Sequence, residues 1–451
     1  MSELIDRALR TAPDTVEVLV GEGVLDELPA VFRRLFGDLP AIVVADGRTM
    51  AAAGERVVAL LEAAGVPRLE PYVFPGEPEL YARYENCELL RDALRPVDAV
   101  AVAVGSGTLN DLVKRACGEL GRGYLVVGTA ASMDGYTAFA ASIAYKGFKQ
   151  TLSCPPPRAA ICDLGVLAAA PPAMTASGYG DLIGKVPAGA DWLLADALGV
   201  EPIHQGAWDL VQGPLRHALA RPADLPRAEP GALADLTEGL VMSGLAMQAQ
   251  RSSRPASGAE HQFSHLWEME GLGVDRTPRR LPHGFKVGIG TVAVAALYER
   301  LLERDLTALD VDAAVAGWPA REEAERRVRA MHPAGGLADE SVRLTLDKWV
   351  PSERLRERLE RLCRVWPELS ERLRAQLIPA AELQDMLRAA GAPAHPAEIG
   401  LDWGRFRDTY QRARTIRNRY TVLDTAFEAG LLADLVAELF APDGFWGRRA
   451  V

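Results

Sequence analysis

The chain has 451 residues, 49 % of them hydrophobic and 25 % charged, which is enough for two domains with sizeable cores in an ordinary globular protein. Its net charge of −11, with no block of Lys or Arg, argues against a nucleic-acid-binding surface. Five scattered cysteines without a CxxC, an N-terminus without an apolar signal-peptide core, and no apolar run near the about 20 residues of a membrane span together predict a cytoplasmic, enzyme-sized protein.

In chain order, the first third alternates short apolar runs with longer amphipathic ones. VEVLVG (16–21), AIVVAD (41–46), the region 66–74, AVAVAVG (99–105) and YLVVGT (124–129) read as buried strands. Between them, Leu25–Leu35, Met50–Ala64, Leu80–Leu94 and Leu109–Leu120 carry apolar residues at helical spacing. AAICDLG (159–165) reads as one more strand. Strand and helix in alternation predict a Rossmann-like parallel sheet covered on both faces, with ligands beyond the carboxyl ends of its strands.

Two βα turns of that sheet are chemically informative. In VGSGTLND (104–111), Gly105 and Gly107 let backbone approach a ligand, and the helix start offers unpaired N–H groups to a phosphate. Asn110 stands where a full GxGxxG would place its third glycine, so the fingerprint is incomplete. Asp46 ends the AIVVAD run, where a carboxylate can accept hydrogen bonds from an adenine-ribose diol and repel a 2′-phosphate; its alternative role is to cap the next helix. A third stretch, VGTAASMDGYTAFAASI (127–143), is dense in small and hydroxylated residues, which suits either a ligand against the backbone or a tight helix–sheet contact.

After about residue 170 the texture becomes helical to the end: Met174–Gly184, Asp191–Leu198, Ala207–Ala220, Ala232–Ala249, Ala259–Glu268, Phe285–Arg304, then polar helical segments from Thr307 to about Phe440. The predicted organisation is therefore an α/β domain over 1–168 and an all-helical domain over 169–451. In SGAEHQFSH (257–265), His261 and His265 lie at i and i+4 on one helical face, and His283 follows in LPHGFKVGIGT. Three of the seven histidines thus fall within 23 positions, an arrangement that suits a divalent cation with an open position, or else capping and core roles. Asp181, in SGYGDLIGK (177–185), is either the carboxylate that completes a two-His, one-carboxylate set or a favourable charge at a helix start.

Together GSGTLND (105–111), TAASMDG (129–135), SGYGDLIGK, SGAEHQFSH and PHGFKVGIGT (282–291) resemble the sn-glycerol-1-phosphate dehydrogenase family, within the iron-containing alcohol dehydrogenase and dehydroquinate synthase-like superfamily. The motif match is good over about 97–295 and thin after about 305. The resemblance implies a dinucleotide-binding α/β domain followed by a helical one, with the active site in the cleft between them. It implies Asp181, His261 and His283 as metal ligands, with zinc the default and nickel or iron the alternatives. Asp181 would also bear on substrate, His265 and Asp134 would contact substrate, and Gly105, Ser106, Gly107, Thr108, Leu109, Thr129, Ala130, Ala131 and Ser132 would bind the dinucleotide. The i, i+4 pair is then split into one ligand and one substrate contact.

The implied reaction is reversible reduction of dihydroxyacetone phosphate to sn-glycerol 1-phosphate by NAD(P)H, with Asp46 favouring NAD(H). The implied partners are a phosphorylated small molecule and further copies of the chain, with no nucleic acid or membrane span. The family commonly has Ser where this chain has Ala138, which removes one cofactor contact unless a neighbour such as Thr137 supplies it. A dehydroquinate synthase-like lyase is disfavoured because TAASMDGYT replaces a lysine-containing VGGK-type segment. A dehydrogenase of another polyol or polyol phosphate stays open, and a non-catalytic descendant of the fold is disfavoured by the complete ligand set. For the substrate phosphate, Lys146, Lys149, Lys185 and Arg254 are the candidate cations.

Overall fold

A computed structural model describes residues 3–76, 79–145, 148–273 and 280–450, with backbone only at 3, 148 and 149. Clustering of the chain gives two compact units, Met1–Leu182 with Gly206–Ser253, and Ile183–Gln205 with Arg254–Val451. Neither unit is one continuous stretch. The division at 168/169 separates strand-rich from helical sequence, which is a different property from spatial clustering.

The first unit contains a six-stranded all-parallel sheet in the order β1-β8-β5-β4-β2-β3. Its strands are β1 (Glu17–Gly21), β2 (Ala41–Asp46), β3 (Tyr72–Phe74), β4 (Val100–Gly105), β5 (Tyr124–Gly128) and β8 (Ala159–Asp163). Helices cover such a sheet on both sides, so its central strands bury both faces and read as unbroken apolar runs. All of VAVAVG in β4 and YLVVG in β5 is accordingly buried. Leu25, Leu28, Val31, Phe32, Val57 and Leu61, from the amphipathic stretches, complete the core against Val43, Val102, Val104 and Val127.

The sequence reading missed an antiparallel hairpin of β6 (Ala140–Tyr145) and β7 (Phe148–Ser153), in register Ser142↔Thr151. Its alternation is masked by small residues, and tertiary bonds hold it: Ser142 N–H donates to Asp111 Oδ2 (3.1 Å) and Arg115 Nη1 to Ser153 O (3.0 Å). The same unit holds the helices Pro172–Leu182 and Pro230–Gln250, the second buried along most of its length.

The second unit is helical among its described residues, as the sequence predicts. Lys185–Ala197 begins earlier than expected because Pro187 falls in its first turn, where a missing N–H costs nothing. The central pair is Ala259–Met269 and His283–Leu302. Gly290 lets the two approach, since a Cβ there would lie 2.5 Å from Glu260 O. Phe263 and Trp267 turn the other face of the first helix toward Tyr410 and Phe406, and Trp267 Nε1–H donates to Thr409 Oγ1 at 2.8 Å.

Candidate active site

In the first unit, the carboxyl ends of β2, β4 and β5 bring the expected dinucleotide segments together. Gly105 pairs with Gly128 across β4 and β5, and Thr129 N–H donates to Gly105 O (3.1 Å), so 105–109 and 129–132 lie side by side. Gly107 permits that approach: a Cβ on it would meet Met133 Cε at 2.4 Å. Asn110, at the place of the third fingerprint glycine, is fully buried and structural. Its amide donates to Gly135 O and Tyr136 O (both 3.3 Å) and accepts from Tyr124 O–H (2.9 Å). Lys114, which the sequence reading did not single out, is also fully buried and donates to Gly135 O (2.8 Å) and Ala140 O (3.1 Å).

Asp46, at the end of β2, forms a capping box: its Oδ1 accepts from Arg48 and Thr49 N–H, both at 2.9 Å, and Thr49 Oγ1 accepts from Asp46 N–H. Thr137 does not stand in for the serine replaced by Ala138. Its hydroxyl is fully buried and donates to Val241 O at 2.9 Å.

Asp134 and Asp181 are neighbours within this unit. The Asp134 N–H donates to Asp181 Oδ2 at 3.1 Å, and Ser243 Oγ donates to Asp134 Oδ2 at 2.8 Å. The helix carrying Asp181 reaches the 129–135 segment because position 178 is Gly; a Cβ there would lie 2.0 Å from Ala131 O. Ser177 Oγ adds a bond to Ser132 O (3.1 Å). Asp181 is 1 % exposed, so its carboxylate is oriented and shielded from water. Ser243 was not foreseen, since a serine amid VMSGLAMQ carries no local signal.

In the second unit, the rings of His261, His265 and His283 cluster, with centroids 5.5 to 5.8 Å apart. Two of them are held by carboxylates: His261 Nδ1 lies 2.7 Å from Glu260 Oε1, and His283 Nδ1 lies 2.8 Å from Glu268 Oε1. Ionised carboxylates only accept, so each Nδ1 carries the hydrogen and each Nε2 keeps its lone pair for a cation. His265 Nδ1 lies farther from its carboxylate, 3.5 Å from Glu268 Oε2. Glu268 also pairs with Lys286 Nζ at 3.1 Å. Glu260 and Glu268 were absent from the sequence reading, although Glu260 adjoins His261 and Glu268 lies three residues from His265.

Beneath His261, Asp191 Oδ2 accepts from Ala259 N–H (2.7 Å) and Glu260 Oε1 from Gly258 N–H (2.7 Å), so two carboxylates cap the histidine helix. Burial, then the charge of Glu260, push Asp191 up to about 7, opposed by the Tyr298 hydroxyl and the Ala259 N–H. Glu260 Oε2 is buried without a donor among the described residues, leaving negative charge next to His261 that favours a cation.

Within the second unit, His261 and His283 offer two imidazole nitrogens with carboxylate-fixed tautomers, donors suited to zinc or iron, so they fit a divalent cation. Of the expected phosphate cations, Lys146 and the side chain of Lys149 lie outside what is described. Lys185 is fully buried, and Arg254 is a strut donating to Tyr420 O (3.0 Å) and Asp191 O (2.6 Å). Among the described residues, no helix is long and apolar enough to cross a membrane.

Residues 19–171 match the family model for iron-containing alcohol dehydrogenase. Over 433 residues the chain is 30 % identical to glycerol-1-phosphate dehydrogenase (NAD(P)+) of Bacillus licheniformis, covering 94 % of this chain and 92 % of that one. It is 32 % identical to the protein of that name from Bacillus subtilis over 330 residues, 73 % of this chain and 70 % of the relative. The similarity thus runs well past residue 305, where the motif resemblance thins. Glycerol dehydrogenase of Schizosaccharomyces pombe has a similar fold, with TM-score 0.60, 16 % identity, and coverage of 94 % of this chain and 89 % of that one. At 30 % identity over nearly the whole of both sequences, the chain belongs to the glycerol-1-phosphate dehydrogenase family, oxidoreductases of the iron-containing alcohol dehydrogenase type.

Proposed function

We propose that this protein catalyses the reversible, metal-dependent reduction of dihydroxyacetone phosphate to sn-glycerol 1-phosphate with NAD(P)H. The observation that carries the reading is the pair of carboxylate-held histidines, His261 on Glu260 and His283 on Glu268, in a chain of this family. Residues 1–168 bind the dinucleotide and contribute Asp134 to the substrate, and 169–451 carry the metal ligands and His265. Gly105 to Leu109 and Thr129 to Ser132 offer close backbone to the pyrophosphate, and the partly exposed Asp46 turns its second carboxylate oxygen to the ribose, favouring NAD(H).

Asp181, His261 and His283 hold the divalent cation, which supplies Lewis acidity where negative charge develops on the substrate carbonyl oxygen. The buried carboxylates Glu260 and Glu268 fix the two imidazole tautomers, so no reorganisation is needed during reaction. Asp134, itself fixed by Ser243, accepts a hydrogen bond from a substrate hydroxyl and sets its orientation. His265, its Nδ1 3.5 Å from Glu268 Oε2, donates a proton to the alkoxide being formed or holds a hydroxyl on the same carbon chain. The reading carries with it a cytoplasmic homodimer or larger assembly, which sedimentation of the purified protein checks.

The test follows NADH absorbance with dihydroxyacetone phosphate, comparing metal-loaded protein with chelated protein. Metal-dependent oxidation yielding glycerol 1-phosphate, and not its 3-phosphate enantiomer, is the expected result. A metal-loaded, NADH-binding protein that leaves this substrate untouched overturns the reading.

A further inference from the structure

The proposed substrate carries a phosphate, and most cations near the histidines are already committed. Lys286 is held by Glu268 and by Leu281 O (3.2 Å). Arg405 and Arg412 both pair with Glu270. Arg419 donates to Ser257 O at 2.7 Å. Arg417 differs: it makes no hydrogen bond or ion pair with any described residue, and the acidic groups acting on it are Glu268 and Glu340. Both are engaged elsewhere, Glu268 with His283 and Lys286, and Glu340 with Arg343 at 2.6 Å.

The segment carrying Arg417 is fixed on both sides. Lys348 Nζ donates to Arg414 O (2.6 Å), Gln262 Nε2 to Arg419 O (3.2 Å), and Arg254 Nη1 to Tyr420 O (3.0 Å). With the Arg419–Ser257 bond, two of these anchors belong to the stretch SGAEHQFSH itself. The backbone is thus strapped to the histidine helix at its start, while Arg417 feels the charge of Glu268 in that helix's last turn. Burial works against the guanidinium charge and lowers its pKa, and no paired carboxylate compensates in full. A planar cation without a hydrogen-bonded partner among the described residues matches a phosphate, which it can engage through two parallel N–H···O bonds.

We infer that Arg417 binds the phosphate of the substrate, so that the residue selecting a phosphorylated polyol over the free polyol lies in the C-terminal segment 414–421. This rests on the phosphorylated-substrate reading above. The test compares full-length, metal-loaded wild type with Arg417→Met and Arg417→Lys, using dihydroxyacetone phosphate and dihydroxyacetone as substrates, with inorganic phosphate as inhibitor. Arg417→Met is expected to raise KM for the phosphorylated substrate on the order of a hundredfold. Its kcat/KM for dihydroxyacetone stays near wild type, and inhibition by inorganic phosphate is lost; Arg417→Lys recovers part of both. A wild-type preference for the phosphorylated substrate that survives in Arg417→Met overturns the role of Arg417 alone, as does an equal loss on both substrates. A wild type that shows no such preference overturns the phosphorylated-substrate reading, and this inference with it.

Discussion

Replacing Glu268 by Gln tests the arrangement of the metal-binding histidines most directly. The carboxylate takes the His283 Nδ1–H at 2.8 Å on Oε1, and the same oxygen lies 3.1 Å from Lys286 Nζ. Hydrogen bonds to a charged group are worth about 1.5–3 kcal/mol and neutral ones about 0.5–1.5 kcal/mol. An isosteric amide therefore gives up about 1–1.5 kcal/mol of the force that fixes the imidazole, roughly a tenfold weaker metal affinity. That is the lower end of the range usual for such supporting residues. Glu268→Ala goes further: with both side chains 6 % exposed, it removes the carboxylate that lies 3.1 Å from the buried Lys286 cation. A stability loss of about 3 kcal/mol follows. Competition against a chromophoric chelator measures affinity for zinc or cobalt, and chemical unfolding of the apo-protein measures stability. Glu268→Gln binding metal within a factor of two of wild type would falsify the argument that Glu268 orients a ligand.

Four further outcomes follow from the geometry. His332 is 6 % exposed, its Nε2–H donates to Thr415 Oγ1 (2.7 Å), and its Nδ1 faces Arg412 Nη2 (3.4 Å). Burial, then Arg412, depress it to about 4 against a partial opposing pull from Glu270. The unfolded chain therefore takes up this proton as pH falls below about 6.5 while the folded one does not, and stability drops toward pH 4 by on the order of 3 kcal/mol; His332→Gln is expected to flatten that part of the pH–stability curve. Lys114→Met strips a donor from Gly135 O and Ala140 O, so urea unfolding should move by about 2–4 kcal/mol and NADH binding should weaken. Ser243→Ala removes the donor to Asp134 Oδ2 and should raise substrate KM about tenfold while NADH affinity, read by fluorescence, stays constant. Gly178→Ala drives a methyl to 2.0 Å from Ala131 O, three residues before Asp181, so metal affinity should fall together with the unfolding midpoint; a stable, tightly metal-binding Gly178→Ala protein contradicts the close approach.

The parallel sheet was legible because both faces of its strands are covered, which leaves unbroken apolar runs such as VAVAVG and AIVVAD. The β6–β7 hairpin was not, because what fixes it is a bond from Ser142 N–H to Asp111, more than thirty residues away, rather than any local turn signal. Asp46 shows that two readings of one side chain need not compete: capping occupies Oδ1 alone.

The histidines make the limit of spacing plain. The i, i+4 pair says that His261 and His265 share a face, and nothing about which of them a cation would use. The difference lies in contacts that spacing does not encode. His261 and His283 have their Nδ1 atoms 2.7 and 2.8 Å from carboxylates, whereas His265 stands at 3.5 Å from its own. A ligand gains from a fixed tautomer and ring plane, while a residue that passes a proton gains from the freedom to change both. The longer reach from the seat of His265 to its carboxylate thus supports the division of labour proposed here. Tightening that seat, rather than removing the ring, is the perturbation that separates the two roles.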